Sequence, residues 1–598
     1  MRDFFKYTFA TLAGIVLFCT LGIAGLTALL VTIASSSSST EPQVEADSIL
    51  TFDLSEEITD SSAASEPRAI IGAALSGGSR SSIPLRTAIE AIRRSTTDDR
   101  IKGLLLYGSI QPTGSGFATL QEVRQALEAF RQSGKPIFAY DDVQWQEKDY
   151  YLASVANTVL LNPSSLLEIN GFSSESTFFA GALEKYGVGI QILRVGKFKA
   201  ATESLTRSQS SPEAKAQTQA LLTDLWNEFA TAAAKSRKLT PQKMQEIADR
   251  QGLLMPEEAK SVGLIDKIAY EDEIVAELQG LTGQEKGSET LRQIDLSNYA
   301  AATSSARQSS SNQVAVIYAE GDIVSGEGGT GQIGGDALAR LLRKLRQDDS
   351  TKAVVLRVNS PGGSATASAL VAREMSLTQA KKPVIVSMGT YAASGGYQIS
   401  ANASQIFASP TTITGSIGVF GVLPNVQGIS NSNGITWDTV KTARLADGDT
   451  VSRPKTPEEL AISQRVVDRI YDQFISLVAE SRRLPKTKVA EIAQGRVWSG
   501  LQAQKIGLVD QLGGLEDAIK AAVKAANLSD DWQIEEYPKP RSFEEQLGKL
   551  LGTSTRATTP VDPLTQQMEK LGKDLEILRS MNDPLGVYSR LPFNSDIR

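Results

Sequence analysis

One serine, Ser394, stands among small residues in the segment GTYAASGGYQIS, which begins at Gly389. The hydrophobic, β-like run KPVIVSM precedes this segment, and an apolar, helix-compatible run follows it. Small residues around a lone hydroxyl at a strand-to-helix turn let a substrate backbone come close, which is what a nucleophilic serine requires. The same residues also suit an ordinary tight turn or a helix cap. Ser394 is therefore a candidate nucleophile whose proton acceptor must be found elsewhere.

The composition limits what can accept that proton. The 598 residues contain no histidine and one cysteine, so a Ser-His-Asp triad, a Cys-His pair and a histidine-ligated metal are all excluded. The base must be a lysine, an aspartate, a glutamate or an amino terminus, and lysine suits a serine hydroxyl because burial lowers its pKa towards neutrality. The net charge of -7 argues against a nucleic-acid partner.

The segment RVGKFKAATES carries two lysines, Lys197 and Lys199. If this segment is a strand, both side chains lie on the same face, because side chains alternate along a strand with a period of two. Alternation therefore cannot choose between the two lysines. A lysine at the end of a strand is also most often a solvated surface charge, so neither position is assigned a role on this pattern alone.

Glycines at another strand end offer hydrogen-bond donors for an oxyanion. The segment AVVLRVNSPGGSA is typical of a buried strand that ends in a turn with two glycines. The backbone N–H groups of Gly363 and of Gly395, the residue after the candidate serine, are the natural donors, since no Cβ obstructs the approach of a ligand. Each segment alone is equally typical of a structural turn. Their succession, with a crossover helix between them, favours a catalytic site.

The chain contains two copies of one unit, and much of it aligns with itself at an offset of 247 residues, as in Lys135 with Lys382 and Gly171 with Gly418. Each copy alternates Val/Ile/Leu-rich runs with helical patterns, which predicts βαβ units and a parallel sheet. We therefore predict an α/β protein with a first repeat at 48–300, a linker at 301–312 and a second repeat at 313–540.

The same alignment separates the candidate residues. Ser394 aligns with Glu147, and the glycine pair of the second copy is also absent from the first. In the other direction, Lys199 aligns with Ala446. One copy therefore has the serine without the lysine, and the other has the lysine without the serine.

The amino-terminal residues predict a membrane anchor. Arg2 and Lys6 precede an uncharged run that extends to Glu41, and residues 9–34 exceed the roughly 20 residues that cross a bilayer as a helix. The basic residues predict that 1–8 are cytoplasmic and that the body lies outside. A cleaved signal peptide is the alternative. We further predict a flexible linker at 35–47 and a tail with an amphipathic helix at 541–598.

Four segments together resemble the signal peptide peptidases of the SppA type (peptidase family S49), in the long, duplicated bacterial form: RVNSPGGSA, AASGGY, TGSIGVFG and VGKFKAATES. The resemblance covers nearly the whole chain. It implies two tandem βαβ superhelical domains, related to the Clp protease and crotonase superfamily, after one transmembrane helix. It also implies a homotetramer in the inner membrane with the catalytic body on the periplasmic side, hydrophobic signal peptides as substrates, and no metal or cofactor.

Carried over by position, the resemblance implies that Ser394 is the nucleophile and that Lys199, rather than Lys197, is the general base that later protonates the leaving amine. Ser416, in TGSIG, would hydrogen-bond the lysine and orient it. The amides of Gly363 and Gly395 would form the oxyanion hole. The implied reaction is hydrolysis of peptide bonds in remnant signal peptides through an acyl-enzyme.

Two other functions remain as alternatives. A crotonase-like acyl-thioester enzyme would share the fold and the glycine-built oxyanion hole, but such enzymes are usually soluble and do not need a serine at the turn. A catalytically inactive membrane scaffold would have lost the serine or the lysine from both copies, and neither is lost. The two residues together favour the peptidase over both alternatives.

Overall fold

The computed structural model describes residues 14, 42–61, 82–111, 114–288, 290–304, 310–329, 331–539 and 587–591. The predicted membrane span at 9–34 lies outside these residues except for Gly14, and so does the amphipathic helix predicted within 541–598. Among the residues just given, no helix combines the length and the apolar character that crossing a bilayer requires.

The strands are short and mostly buried. In chain order they are β1 (Ser48–Asp53), β2 (Glu57–Thr59), β3 (Ser82–Pro84), β4 (Ile101–Tyr107), β5 (Ile137–Asp141), β6 (Gln144–Trp145), β7 (Thr158–Leu161), β8 (Leu166–Ile169), β9 (Gly189–Val195), β10 (Gly252–Leu254), β11 (Lys267–Ile268), β12 (Gln293–Asp295), β13 (Gln313–Glu320), β14 (Asp322–Val324), β15 (Gln332–Gly334), β16 (Thr351–Ser360), β17 (Gly362–Ser364), β18 (Val384–Ala393), β19 (Gln405–Ala408), β20 (Ile413–Gly415), β21 (Val419–Asn425), β22 (Val497–Ser499), β23 (Gln511–Leu512), β24 (Gln533–Tyr537) and β25 (Val587–Arg590).

The helices alternate with these strands. They are α1 (Leu85–Ser95), α2 (Phe117–Gln132), α3 (Glu147–Ala153), α4 (Ala180–Lys185), α5 (Glu203–Thr206), α6 (Pro212–Arg237), α7 (Pro241–Arg250), α8 (Pro256–Ser261), α9 (Glu271–Thr282), α10 (Leu296–Thr303), α11 (Gly335–Gln347), α12 (Ala365–Gln379), α13 (Gly395–Ser400), α14 (Gln427–Ser432), α15 (Pro457–Arg482), α16 (Lys486–Ile492), α17 (Gly500–Lys505) and α18 (Leu515–Ala525).

Two parallel sheets with one strand order form the centres of the two repeats. The first has the order β11-β7-β5-β4-β1-β12, and the second repeats it as β23-β19-β18-β16-β13-β24. In the second, β20 also pairs with β18, and the antiparallel strand β22 follows β20. The central strands of both sheets are buried on both faces, because apolar clusters that include helix residues cover each side. This explains the nearly continuous apolar runs in the sequence. The predicted α/β class with parallel βαβ units is confirmed.

The duplication extends to single hydrogen bonds. The Lys135 ammonium donates to the carbonyl of Asp98 at 2.7 Å, and the aligned Lys382 donates to the carbonyl of Asp348 at 2.5 Å. The two longest helices also match: α6 begins at a serine cap followed by proline and α15 at a threonine cap followed by proline, and each ends on a residue in the left-handed conformation. The sequence offset is therefore also a structural equivalence.

A third sheet joins the two repeats. It has the order β15-β14-β17-β25-β21-β9, and its edge strand β9 comes from the first repeat although its neighbour β21 comes from the second. The two strands are antiparallel over seven residue pairs, from Val419 opposite Val195 to Asn425 opposite Gly189. Because of this pairing, the end of β9 lies near the carboxyl-terminal ends of β18 and β20, where the candidate serines lie.

A buried ionic network also links the repeats. Arg357 on β16 is fully buried, and its guanidinium pairs with Asp60 at 2.8 Å and with Glu122 at 2.8 Å, both from the first repeat. Asn359 donates to the other oxygen of Asp60 at 2.9 Å. Burying a charge is costly unless it is paired, and here one guanidinium pairs with two carboxylates.

Candidate active site

Ser394 lies between the end of β18 and the start of α13 and is fully buried. Its backbone has φ 57° and ψ -113°, a conformation that L-residues seldom adopt and that costs about 1–3 kcal/mol. The backbone N–H of Ser394 donates to the carbonyl of Gly415 at 2.8 Å, which holds the turn in place. The strained turn projects the hydroxyl away from its own helix and towards the end of β9.

Lys199 follows β9 by four residues and is fully buried. Its Nζ lies 2.6 Å from the Oγ of Ser394. The strand ends at Val195, and Gly196 turns the chain with φ 104°, so the two candidate lysines do not belong to a strand. Lys197 is exposed, and its Nζ lies 5.2 Å from the centre of the Phe198 ring. The structure therefore brings Lys199, and not Lys197, to the serine.

Ser416 also contacts the lysine. The Nζ of Lys199 lies 3.0 Å from the Oγ of Ser416 and 3.1 Å from its carbonyl oxygen. Ser416 also has a positive φ, 51°, and its N–H donates to the carbonyl of Arg496 at 2.7 Å. Three contacts thus fix the position of Nζ, and all three predicted side chains meet in one buried cluster.

The environment of Lys199 disfavours its charge. Burial lowers the pKa of the Lys199 ammonium well below its ordinary value of 10.5. Its Nζ contacts two hydroxyl oxygens and one carbonyl oxygen, none of which carries a formal negative charge. A neutral amine keeps a lone pair, so at this distance it can accept the proton of the Ser394 hydroxyl.

Two glycines with no role predicted from the sequence enclose the lysine. A Cβ on Gly495 would lie 2.6 Å from the Cβ of Lys199, and a Cβ on Gly418 would lie 3.3 Å from its Cδ. Gly495 also has φ 73° and donates its N–H to the carbonyl of Ile417 at 2.8 Å. Gly418 lies in the segment TGSIGVFG and is also an aligned position of the duplication. Gly495 has no local motif that relates it to Lys199.

The glycines predicted to donate to an oxyanion lie around one carbonyl group of the chain itself. Gly363 is the antiparallel partner of Ser589 on β25. A Cβ on Gly395 would lie 3.1 Å from the carbonyl oxygen of Ser589, and a Cβ on Gly362 would overlap that oxygen. Gly362, with φ 101°, is a further residue of this site. The site thus has a place for a carbonyl oxygen beside the amides of Gly363 and Gly395.

A contact between the tail and this site was not predictable from the sequence. Strand β25 lies between β17 and β21, and the hydroxyl of Ser589 lies 2.7 Å from that of Ser394. The only sequence signal is the short run VYSRL, which is compatible with a strand but too brief to predict one. Within the described residues there is no cluster of three or more acidic or cysteine side chains that could hold a metal ion.

A buried hydroxyl, a buried amine in contact with it and backbone amides around a carbonyl site, carried on a duplicated α/β fold, define a serine hydrolase. Comparison with protein families places it more narrowly. The model of peptidase family S49 matches residues 129–285 and 376–529, one match in each repeat, and the Clp protease model matches residues 305–413. The S49 matches cover more than half of the chain. The chain belongs to peptidase family S49 and is a serine peptidase.

Curated relatives match most of the chain. Protease 4 of Salmonella typhi is 33% identical over 558 residues, which are 90% of this chain and 89% of that protein. Protease 4 of Haemophilus influenzae is 35% identical and covers 83% of each chain. The chloroplastic serine protease SPPA of Arabidopsis thaliana is 32% identical over 75% of this chain and 66% of its own length. The chain therefore has the long, duplicated SppA form.

Proposed function

We propose that this chain is a membrane-anchored serine endopeptidase that uses Ser394 and Lys199 as a catalytic dyad to hydrolyse remnant signal peptides. The distance of 2.6 Å between the Lys199 Nζ and the Ser394 Oγ, inside a site where burial disfavours the ammonium, carries the proposal. The base comes from the first repeat and the nucleophile from the second. This agrees with the sequence alignment of the two copies, in which each copy has one of the two residues and lacks the other.

The reaction follows from these contacts. Lys199 takes the hydroxyl proton of Ser394 as the serine oxygen attacks the carbonyl carbon of the scissile bond. The amides of Gly363 and Gly395 stabilise the negative charge that develops on the carbonyl oxygen. When the tetrahedral intermediate collapses, the lysine ammonium gives its proton to the leaving amine and an acyl-enzyme remains. Water, deprotonated by the same lysine, then releases the second product and restores the serine.

Ser416 has a positioning role in this mechanism. Its Oγ and carbonyl oxygen both lie within hydrogen-bonding distance of Nζ, so they orient the lysine lone pair towards Ser394. An amine that is free to rotate would spend less time in the reactive geometry, and misplacement by about 1 Å can cost roughly 100-fold in rate.

The groove between β17 and β21, which holds strand β25, supports hydrophobic peptides as substrates. Val587 of that strand packs in one buried apolar cluster with Leu193 on β9, Val419 on β21 and Val467 on α15. A single amino-terminal span with a cytoplasmic amino terminus would hold the body at the outer face of the inner membrane, where remnant signal peptides remain after preprotein cleavage. We extend the proposal to a homotetramer without nucleic-acid partners, metal or cofactor, as the family resemblance implies.

The test is hydrolysis of a quenched fluorogenic peptide by the full chain in detergent. We expect Ser394→Ala and Lys199→Ala each to lower kcat/KM by at least about 10⁴-fold, as for other catalytic units. Lys197→Ala is the matched control, since this exposed lysine lies two residues away and makes no contact with the serine in the structure. Full activity of Ser394→Ala would refute the peptidase mechanism, and loss in Lys197→Ala alone would mean that the base is misassigned.

Substrate class needs a separate comparison. A synthetic signal peptide embedded in lipid vesicles should be cleaved faster by the full chain than a soluble peptide of equal length with polar residues in place of its apolar core. Equal rates for the two peptides would leave the serine peptidase intact but reject signal peptides as its substrate class.

A further inference from the structure

Strand β25 lies where an extended peptide would bind. It is antiparallel to β17 on one side, with Ser364 opposite Tyr588, and antiparallel to β21 on the other, with Phe420 opposite the same tyrosine. The ladder continues beyond the strand, because the N–H of Leu591 donates to the carbonyl of Pro361 at 2.8 Å. Adding a strand to a sheet is a common way for proteins to bind peptides, since backbone hydrogen bonds supply the affinity.

The register places one peptide bond at the reacting atoms. The carbonyl oxygen of Ser589 lies beside Gly362 and Gly395, and alternation along the ladder from the Leu591 hydrogen bond makes Ser589 and Gly363 a hydrogen-bonded pair. The hydroxyl of Ser589 lies 2.7 Å from that of Ser394. The bond from Ser589 to Arg590 is therefore the one presented to the nucleophile.

The side chains of the segment also fill specific places. Val587 is buried in the apolar groove, in one cluster with Leu193 and Val419, and Leu591 is buried in a second cluster that includes Ala393 and Ile413. These two residues and Ser589 all lie on one face of the strand, at alternate positions.

The residue after the presented bond makes an ion pair. The guanidinium of Arg590 lies 2.8 Å from the carboxylate of Asp322 on β14, and both side chains are largely buried. On the same face of the strand, the ring of Tyr588 packs against that of Phe420 with 5.9 Å between their centres. Asp322 thus provides a negative group for the side chain of the residue after the presented bond.

We infer that Val587–Leu591 is an internal peptide ligand of the active site, which occupies the substrate groove in the substrate register and competes with peptides supplied in trans. Asp322 is the residue that holds its cationic side chain. This inference rests on the proposed function, because it treats the groove as the peptide-binding site. It also assigns the subsites: a small residue before the scissile bond, a cation after it, and apolar residues at the flanking positions.

The test compares three lengths of the chain in detergent: the full chain, a chain that ends at Leu591 and a chain that ends at Gly586. The chain ending at Leu591 is the control, since it loses the final seven residues but keeps the strand. If the segment fills the groove in at least about four of five molecules, removing it should lower KM for a fluorogenic peptide about fivefold or more at unchanged kcat. The other two forms should have equal KM values. Equal KM values for all three forms would overturn the inference.

A binding measurement separates this inference from the proposed function. A fluorescent VYSRL peptide should bind to the Ser394→Ala variant of the chain that ends at Gly586, where no turnover is possible, and a peptide with the same residues in scrambled order should not. Asp322→Asn should weaken that binding. If the truncated wild-type chain fails to hydrolyse peptides but the VYSRL peptide binds, the proposed function fails and the internal ligand stands. If neither sequence binds, or both bind equally, the inference is wrong.

Discussion

Gly495 of the second repeat lies directly against Lys199 of the first. A Cβ built on Gly495 would be 2.6 Å from the Cβ of Lys199 and 2.8 Å from its Cα. Real Cβ atoms do not approach other carbon atoms so closely, and the atoms it would meet include the backbone of the lysine, which cannot rotate away. The position of Lys199 therefore depends on the absence of a side chain nearly 300 residues further along the chain.

Gly495→Ala should consequently abolish most peptidase activity without removing any catalytic group. The methyl group would displace the lysine backbone, and a displacement of about 1 Å costs roughly 100-fold in kcat. Gly434→Ala is the matched control, because Gly434 has the same φ of 73° but open space where the Cβ would lie. The kcat values of both variants, with folding checked by circular dichroism, test the prediction. Equal kcat in the two variants would contradict it.

Lys199→Met should lose activity and gain stability. Burial lowers the pKa of Lys199 in the folded protein below its unfolded value near 10.5, so unfolding takes up a proton at any pH between the two values. The lysine therefore costs stability at neutral pH, and this cost decreases as the pH rises towards 10.5. Methionine has a similar length and no charge, so its substitution removes the cost.

Denaturant unfolding at several pH values checks this expectation. The free energy of unfolding of Lys199→Met should exceed that of the wild type at pH 7, and the difference should narrow at pH 9. Lys197→Met is the control, since that side chain is exposed. A variant less stable than the wild type at every pH would show that the amine stabilises the fold through its hydrogen bonds instead.

Ser416→Ala should lower kcat about 10- to 100-fold at nearly unchanged KM, because it removes one of the contacts that orient Nζ while leaving the groove intact. Reaction of Ser394 with a fluorophosphonate should slow by the same factor, since that reaction needs the activated hydroxyl but no peptide. Ser400→Ala is the control: it is also a buried serine, and its hydroxyl donates only within its own helix, to Gly396 at 2.7 Å. A change in KM alone would assign Ser416 to peptide binding.

Arg357→Met should destabilise the protein by about 3–5 kcal/mol, because it leaves the buried carboxylates of Asp60 and Glu122 without their cation. The exposed pair of Arg340 with Glu327 provides the control, and Arg340→Met should change stability by less than about 1 kcal/mol. The free energies of unfolding of the two variants decide the question. Similar losses in both would mean that the network between the repeats adds no more than a surface ion pair.

The sequence allowed the main features of the fold to be predicted because they depend on local patterns. Apolar runs that alternate with helical periodicity define βαβ units, and the offset of 247 residues shows the duplication. Ser394 was recognisable from its small neighbours. Lys199 could not be separated from Lys197 by alternation, because residues two apart share one face of a strand. In the structure neither lysine belongs to a strand, since β9 ends at Val195 and Gly196 turns the chain.

Other parts of the site depend on contacts between distant segments. Gly495 and Lys199 meet where the end of β9 packs against the second repeat, with the N–H of Phe198 donating to the carbonyl of Gln494 at 2.9 Å. No pattern near either residue encodes that contact. The run VYSRL is too short to predict a strand. Its place between β17 and β21 depends on backbone hydrogen bonds and on side-chain contacts with residues far away in the sequence, such as that of Arg590 with Asp322. Arg357 and Asp60 likewise pair across almost 300 residues.

The antiparallel pairing of β9 with β21 also sets the order in which the protein becomes reactive. During synthesis the lysine half is made first, and a chain that ends before β18 has an amine with no hydroxyl to activate. A second half alone has a serine without its base. Under the proposed mechanism, a newly exported or partly unfolded chain therefore cannot attack its neighbours, and proteolytic competence arises only once both halves have folded and docked.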